Sequence, residues 1–259
     1  MKLNTRSVLY LTSLSVLLLS MNACKQGDTG PAGPAGPAYV GKITGFISLF
    51  DQYGTRQLNN QAGITVKIQE INKSTVTDSN GKYVLDSLTT GNYSLQISDP
   101  AGVYGQNQVN QIELISGAIN RDVKLSQKPS FSLSSLSAVD TTIQGTSYVR
   151  LMGTLSSTDT RARTVSIFVG NTSYTSSATT NYLLNISKTV PANVVNFNQL
   201  IPTADFNGAG LITGSMAYFA AYPAATDYAT TSSYEDLING RIVYNAIGAN
   251  AVTASALVP

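Results

Sequence analysis

The chain has 259 residues, enough for one large domain or two of ordinary size. Lysine and arginine number 16 against 14 aspartates and glutamates, so the formal charge is +2 and a nucleic-acid partner is not expected. The chain has no histidine and one cysteine, which excludes histidine-based triads, histidine zinc sites and CxxC redox pairs.

Residues 1–23 have the pattern of a secretory signal peptide. Lys2 and Arg6 form a short basic head, and residues 7–20 follow without a charge. The apolar run is shorter than the about 20 residues that a membrane-spanning helix needs. It leads into Met-Asn-Ala-Cys at positions 21–24, which resembles the lipobox of bacterial lipoproteins. The resemblance implies that Cys24 becomes the lipidated, palmitate-bearing first residue of a mature chain in the bacterial outer membrane.

The cysteine count points to the same anchor. A secreted chain with one cysteine forms no internal disulfide, so Cys24 is free, intermolecular or modified. Cleavage before Cys24 removes two basic residues and no acid, which leaves 14 of each charge and no electrostatic attraction to anionic surfaces. We therefore expect lipid to hold the protein at the membrane, since each buried CH₂ adds about 0.8 kcal/mol.

Residues 24–38 hold the lipidated cysteine and a spacer. Glycine recurs at positions 27, 30, 33 and 36 with proline beside it, which is the collagen period. Four triplets predict a stiff polyproline-II stalk, about 35–40 Å long for twelve residues. A trimerisation stem is the alternative.

Residues 39–128 carry the alternation of half-buried strands. Apolar and polar residues alternate over 64–69 and 92–98, and Asn80-Gly81 is a strong hairpin-turn signal. Further strands are predicted at 42–50, 109–115 and 119–125. About seven short strands with frequent turns predict an antiparallel β-sandwich.

One resemblance covers this whole segment of about 90 residues. Gly-Lys-Ile-Thr-Gly at 41–45, Gly-Ile-Thr-Val-Lys-Ile at 63–68, Thr-Asp-Ser-Asn-Gly-Lys-Tyr at 77–83, Leu88 and Gly-Asn-Tyr-Ser-Leu at 91–95 resemble the carboxypeptidase regulatory-like domain. The resemblance implies a transthyretin-like, carbohydrate-binding-like fold in which Gly81, Tyr83, Gly91 and Tyr93 set turns and core contacts. The loop over 51–62 is longer than is usual in that family, and is either a binding edge or an insertion.

Residues 129–259 predict a second β-sandwich. Alternation recurs over 149–155, 165–169, 182–186 and 216–222, with no helical apolar stripe of comparable length. The run over 195–202, followed by 217–222, resembles the later strands of a fibronectin type III-like sandwich, although the tryptophan usual in that family is missing. The predicted fold class is therefore all-β, with two tandem antiparallel β-sandwiches behind a signal peptide and a collagen-like spacer.

The candidate catalytic and metal motifs all favour structural roles. Ser79 and Lys82 have an acyl-enzyme spacing, but they span a hairpin turn rather than a helix start. Asp78 and Asn80 are too few for calcium, and an Asx turn explains them; the same holds for the Asp-Phe-Asn-Gly run at 205–208. The adjacent acids at 235–236 are strand neighbours that face opposite ways. We expect no catalytic residue, no metal and no cofactor.

Tyrosine is the remaining candidate for binding. Tyr222, Tyr228 and Tyr234 fall in a polar stretch with Pro223, which suggests a loop that presents a tyrosine patch. Such a patch binds a glycan or a protein, because tyrosine is flat and amphipathic. The alternative is that each ring caps the sandwich core.

These features are compatible with three functions. The first is a non-enzymatic cell-envelope lipoprotein that presents β-sandwich modules for structural or interaction roles. The second is a carbohydrate-binding surface lipoprotein. The third is a hydrolase that uses carboxylates alone.

Overall fold

The computed structural model describes residues 40–259, all of which belong to one compact unit. The predicted signal peptide of residues 1–23, the lipidation of Cys24 and the spacer of residues 24–38 lie outside the described residues. We call residues 40–128 the first module and residues 129–259 the second module.

The first module contains eight strands in two facing sheets. Their bounds are β1 Val40–Phe50, β2 Thr65–Ile68, β3 Lys73–Val76, β4 Lys82–Thr89, β5 Gly91–Ser98, β6 Asn107–Leu114, β7 Gly117–Asn120 and β8 Val123–Ser126. One sheet has the order β4-β1-β7, with β8 also paired to β1, and the other has the order β3-β2-β5-β6. Side chains from the two sheets fill a single hydrophobic core that includes Ile43, Leu85, Leu95 and Ile112.

The turn before β4 requires a glycine at position 81. Gly81 has φ +80°, and a Cβ atom there would lie 2.3 Å from the carbonyl oxygen of Ile47. Glycine alone tolerates both this backbone conformation and this close approach. Tyr83 and Tyr93 are buried, which confirms their predicted core contacts.

The second module contains nine strands and two short helices. The strands are β9 Leu133–Ile143, β10 Thr146–Leu155, β11 Arg163–Gly170, β12 Leu184–Val190, β13 Asn196–Pro202, β14 Met216–Ala224, β15 Ser233–Asp236, β16 Arg241–Tyr244 and β17 Val252–Leu257. The helices are α1 Thr203–Gly208 and α2 Tyr228–Thr231. The sheet β13-β10-β9 faces the sheet β12-β11-β14-β17 across a second core, while β15 and β16 form a separate hairpin.

The four-stranded sheet of the second module is covered on both faces. All eight residues of β11 are buried, whereas a strand with one wet face alternates between buried and exposed positions. Its outer face carries a third core that contains Phe168, Tyr222, Tyr228 and Ala246. Residues 225–251, which we call the cover segment, run over this face and include α2 and the β15–β16 hairpin.

The all-β sandwich fold class is confirmed, with three local differences. β1 pairs parallel with β7 and β8, and the strand predicted at 119–125 is divided between those two strands. The Asp-Phe-Asn-Gly run at 205–208 lies in α1 rather than in an Asx turn, because buried Phe206 packs into the second core. The domain boundary between residues 128 and 129 stays a prediction.

Candidate functional site

The structure places two of the three tyrosines that were predicted to form one patch in a buried core, and the third outside it. Tyr222 lies in β14 with 8% of its surface exposed, and Tyr228 lies in α2 with 2% exposed. Tyr234 lies in β15 and is half-buried. The expectation of an exposed loop is therefore wrong for the first two, because their rings pack on the outer face of the four-stranded sheet.

Those rings belong to an aromatic cluster around Phe168. The Phe168 ring makes edge contacts with Tyr182, Tyr222 and Tyr244, at centroid distances of 5.0, 5.6 and 5.7 Å. Tyr228 stacks at a tilt on Tyr244, 5.2 Å away. Burial raises the pKa of Tyr244 to about 12, because the interior disfavours a phenolate. The cluster is a core feature, and it holds the cover segment on the sheet.

The cover segment also binds the first module through buried hydroxyl groups. Ser126 Oγ and Thr231 Oγ1 are 2.6 Å apart, and Ser126 N donates to Ser232 Oγ at 2.8 Å. Thr231 gives its own proton to the carbonyl oxygen of Asp227, so Ser126 is the donor to Thr231. Asn107 Nδ2 completes the contact by donating to the Thr231 carbonyl at 2.8 Å. We call this set of contacts the interlock.

Main-chain packing tightens the interlock. A Cβ atom on Gly105 would lie 2.7 Å from backbone atoms of both Asn245 and Ala246, so the two chain segments touch without a side chain between them. Asn245 Nδ2 also donates to the carbonyl oxygen of Gln106 at 3.2 Å. The modules are therefore joined by directional bonds and by close packing.

An exposed polar contact joins the modules at a second place. Arg161 Nη1 lies 3.1 Å from Asp51 Oδ2, and its guanidinium stacks 3.4 Å above the Tyr53 ring. Tyr53 donates its hydroxyl proton to Asp159, and this bond lowers the pKa of the Asp159 carboxyl. Exposed ion pairs contribute little individually, but this group adds a second point of attachment.

A groove of about 360 Å³ lies between β6 of the first module and the β15–β16 hairpin of the second. We call it the junction groove; it is lined by Gln108, Asn110, Tyr234, Glu235, Asp236, Leu237, Ile238 and Val243. The β6 side supplies the two uncharged amides, and the hairpin supplies the tyrosine ring and three aliphatic side chains. The groove therefore combines hydrogen-bonding groups with apolar surface.

The amides of the groove bond to each other and to the hairpin. Gln108 Nε2 donates to Asn110 Oδ1 at 2.5 Å, and Asn110 Nδ2 donates to the carbonyl oxygen of Glu235 at 3.3 Å. Each amide nitrogen carries a second N–H that these bonds do not use. The wall is thus held in place while it keeps donors for a ligand.

The apolar side of the groove is unusually exposed. Leu237 is 56% exposed and Ile238 is 93% exposed at the tip of the β15–β16 hairpin. Burial raises the pKa of the Tyr234 hydroxyl, with the nearby Asp236 carboxylate adding to the shift. The tyrosine therefore stays a neutral donor at the edge of an aliphatic surface.

The two carboxylates of the groove have different surroundings. Asp236 accepts hydrogen bonds from Asn239 Nδ2 at 2.6 Å and from Thr179 Oγ1 at 2.7 Å, and these bonds lower its pKa to about 2. Asp236 therefore holds the hairpin tip. Glu235 is exposed, and within residues 40–259 its carboxylate makes no hydrogen bond or ion pair.

Tyr222 lines a second cavity between the modules, of about 350 Å³. Its hydroxyl accepts a hydrogen bond from the main-chain nitrogen of Ser177 at 3.4 Å. Lys128 and Gln106 come from the first module, and Tyr244 lies on the opposite module. The ring of Tyr222 is engaged in the core, so it presents little surface to a ligand.

The other sequence candidates occupy structural positions. Asp78 Oδ1 accepts from the main-chain nitrogens of Asn80 and Lys82, both at 2.9 Å, which confirms the predicted Asx turn. Ser79 lies in that turn and Lys82 begins β4. Among residues 40–259, no group of three or more acidic or cysteine side chains could hold a metal ion. In the same range no helix is long and apolar enough to span a bilayer.

Sequence reasoning missed Gln108 and Asn110. They reach the groove through a contact between residues 125 positions apart, and no local pattern encodes such a contact. The strand was also expected to begin at Val109, which left Gln108 outside it. The signal available in the sequence was the run of alternating polar residues along β6, which is an edge strand.

No protein-family model matches this chain, and the comparison with curated proteins gives no significant match. The resemblance of residues 39–128 to the carboxypeptidase regulatory-like family therefore stays a prediction.

Several solved structures align with parts of this chain. A type II cohesin–X-dockerin complex from Acetivibrio cellulolyticus matches with a TM-score of 0.29 and 21% identity, over 34% of this chain and 58% of that chain. A DUF3823 family protein from Parabacteroides merdae matches with a TM-score of 0.28 and 16% identity, over 84% of this chain and 99% of that chain. A candidate carbohydrate-binding protein from Bacteroides uniformis matches with a TM-score of 0.28 and 13% identity, over 80% of this chain and 97% of that chain. At these TM-scores the likeness carries no argument about function.

Proposed function

We propose that this chain is a non-enzymatic lipoprotein of the bacterial cell envelope that presents its two β-modules as one rigid unit. The interlock is the observation that supports the rigid unit, and the lipobox-like run at 21–24 is the sequence feature that supports the lipoprotein part. Ser126 and Ser232 are fully buried and Thr231 is 2% exposed, so their hydrogen bonds are shielded from water. Buried, satisfied polar contacts fix one relative orientation, because any other leaves donors and acceptors unpaired.

The course of β1 supports a display role. The strand runs for eleven residues from Val40, the first described residue after the predicted spacer, to Phe50, which precedes the Asp51 contact with the second module. At about 3.3 Å per residue, it separates the two ends by about 35 Å. The contact between Asp51 and the second module therefore lies about one strand length from Val40, and in this proposal the lipid on Cys24 attaches the chain to the membrane.

Acyl labelling of the full chain in a bacterial host tests the anchor. We expect radiolabelled palmitate on the wild-type protein and none on Cys24→Ser, with the wild type in the membrane fraction. A second comparison controls for altered processing of the signal peptide. It sets the double variant Cys24→Ser, Asn22→Ala beside the single variant Asn22→Ala. Label retained by Cys24→Ser, or an unlabelled soluble wild type, overturns the proposal.

Carbohydrate binding is a second candidate function, favoured by the composition of the junction groove. Sugars offer C–H faces that stack on aromatic and aliphatic surface, and hydroxyl edges that bond to amides and carboxylates. Tyr234, the hairpin aliphatics and the two amides of β6 supply both kinds of contact in one groove. The cavity volume suits one or two sugar rings rather than an extended protein surface.

A glycan array with two tyrosine variants tests this candidate. We expect Tyr234→Ala to weaken binding about tenfold, the scale of a lost aromatic contact in a groove. Tyr174→Ala is the matched control, since Tyr174 is 81% exposed and outside the groove. Absence of glycan binding by the wild type, or equal binding by Tyr234→Ala, refutes it.

A further inference from the structure

We propose that a second groove, on the outer face of the four-stranded sheet of the second module, binds a sugar ring that stacks on Tyr218. We call it the sheet groove. This site belongs to the same class of function as the carbohydrate binding proposed above, but it is separate from the junction groove and does not depend on it. Strand register fixes which side chains face the sheet groove.

The sheet groove has a volume of about 320 Å³, and none of its lining residues is charged. Its hydroxyl-bearing lining residues are Ser173, Thr175, Tyr218, Thr253 and Ser255. Ala217 and Phe219 are buried in the second core, so alternation along β14 places the Tyr218 side chain on the opposite, outer face. Tyr218 pairs directly with Ser255 of β17, and paired residues of neighbouring strands lie on the same face.

The cover segment leaves this end of the outer face open. Ala220 and Tyr222, which follow Tyr218 on the same face of β14, belong to the third core. Tyr218 does not belong to that core and is only half-buried. At the end of the sheet, the paired side chains of Met216 and Leu257 are both exposed. An aromatic ring with an aliphatic border is therefore accessible on an inner strand of the sheet.

One wall of the sheet groove is the loop that follows β11. Gly170, the last residue of β11, pairs with Tyr218, and a Cβ atom there would lie 2.4 Å from Thr175 Oγ1. The Thr175 side chain therefore lies over Gly170 on the outer face, beside Tyr218. Thr175 donates its hydroxyl proton to the carbonyl oxygen of Thr172 at 2.7 Å, and this bond holds the loop in place.

The other hydroxyl groups of the sheet groove are available to a ligand. Thr253 and Ser255 are exposed on β17, and Ser173 is exposed in the loop. Among residues 40–259, the hydroxyls of Tyr218, Ser173, Thr253 and Ser255 form no hydrogen bond. Each of them can both donate and accept, as the hydroxyls of a sugar do.

A sugar is the ligand class that this combination fits. The C–H face of a sugar ring stacks on an aromatic ring, while its hydroxyl edge meets the serine and threonine side chains. A charged ligand would find no counter-charge among the lining residues. The volume suits one or two sugar rings, whereas a stable protein interface needs a much larger surface.

Binding of glucose-, galactose- and mannose-terminated oligosaccharides to the full chain tests the proposal. All variants are made in a Tyr234→Ala background, so that the junction groove contributes little. We expect Tyr218→Ala to weaken the remaining binding about tenfold, because the stacking surface is lost. Tyr218→Phe keeps the ring and should weaken binding less than Tyr218→Ala does.

A blocking variant keeps the test valid if Tyr218→Ala fails to fold. Ser255→Lys places a long side chain beside Tyr218 from an exposed position, so it should weaken binding to a similar extent without changing the Tm. Ser74→Lys is the matched control, because Ser74 is an exposed serine on β3 of the first module. An equal loss of binding in Ser74→Lys would contradict the proposal.

The outcomes separate the sheet groove from the junction groove. If wild type binds an oligosaccharide and Tyr234→Ala binds none, the junction groove is the carbohydrate site and the sheet groove is not. If Tyr234→Ala still binds and both Tyr218→Ala and Ser255→Lys leave that binding unchanged, the sheet groove is again refuted. If wild type binds none of the oligosaccharides, both sites are refuted.

Discussion

The two modules bury their β-sheets in different ways. In the first module, β5 shows the alternating burial of a sheet with one wet face, and one core serves the whole sandwich. In the second module, β11 is buried throughout because its sheet separates two cores. The difference shows that the cover segment is needed to bury one face of a sheet, while its β15–β16 hairpin lines the junction groove.

Removal of the ring at the centre of the third core should have the largest effect. Phe168 is fully buried and contacts three tyrosine rings, so we expect Phe168→Ala to lower the free energy of unfolding by about 3–5 kcal/mol. Phe46→Ala, on the wet face of β1, should cost about 1 kcal/mol or less, since Phe46 is 46% exposed. Urea denaturation measures both. Similar losses would contradict the view that the cover segment closes a true core.

The packing of the junction is tested by one added methyl group. Gly105→Ala places a Cβ atom against the backbone of Asn245 and Ala246, so we expect a loss of about 1–3 kcal/mol. Gly208→Ala is the control, because Gly208 has open space around it and ends a helix. Thermal unfolding should show a lower Tm for the first and no decrease for the second. An unchanged Tm for Gly105→Ala would mean that the modules separate easily.

The buried hydroxyl pair should show coupling. Ser126→Ala removes the donor to Thr231 and should cost about 1–2 kcal/mol, because a buried acceptor loses its partner. Thr231→Val should also destabilise, and the double variant should lose less than the sum of the two. Ser134→Ala, on an exposed part of β9, serves as the reference. Strictly additive losses would show that the hydroxyl pair does not join the modules.

Alkaline pH should give the smallest effect. The pKa of Tyr244 is raised from 10.0 to about 12, so the native state keeps its proton after the unfolded chain has lost it. Its contribution to stability is therefore fully present below about pH 10 and is lost as pH rises toward 12. Tyr244→Phe should make the decline in the urea midpoint shallower, while Tyr174→Phe should not. Identical slopes for wild type and Tyr244→Phe would place Tyr244 outside the core.

Much of the fold could be predicted from the sequence, whereas the site was predicted only in part. Alternation located β2, β5 and β10 because one face of each strand meets a core. The same pattern could not reveal the second covered face of β11, since burial on that face depends on residues 225–251. Of the three proposed tyrosines, Tyr234 alone lines the junction groove, and the other two became core because of that cover.

The sequence by itself determined that most of residues 40–259 form strands and tight turns, because alternation and turn chemistry act over a few neighbouring residues. It also placed the single cysteine behind an apolar leader, where lipidation is the predicted chemistry. The tertiary structure alone decided that two sandwiches share one interlocked junction and that Gln108, Asn110 and Tyr234 meet in a groove. The physical reason is that these contacts join residues more than a hundred positions apart, and their geometry is set by how sheets pack rather than by local propensity.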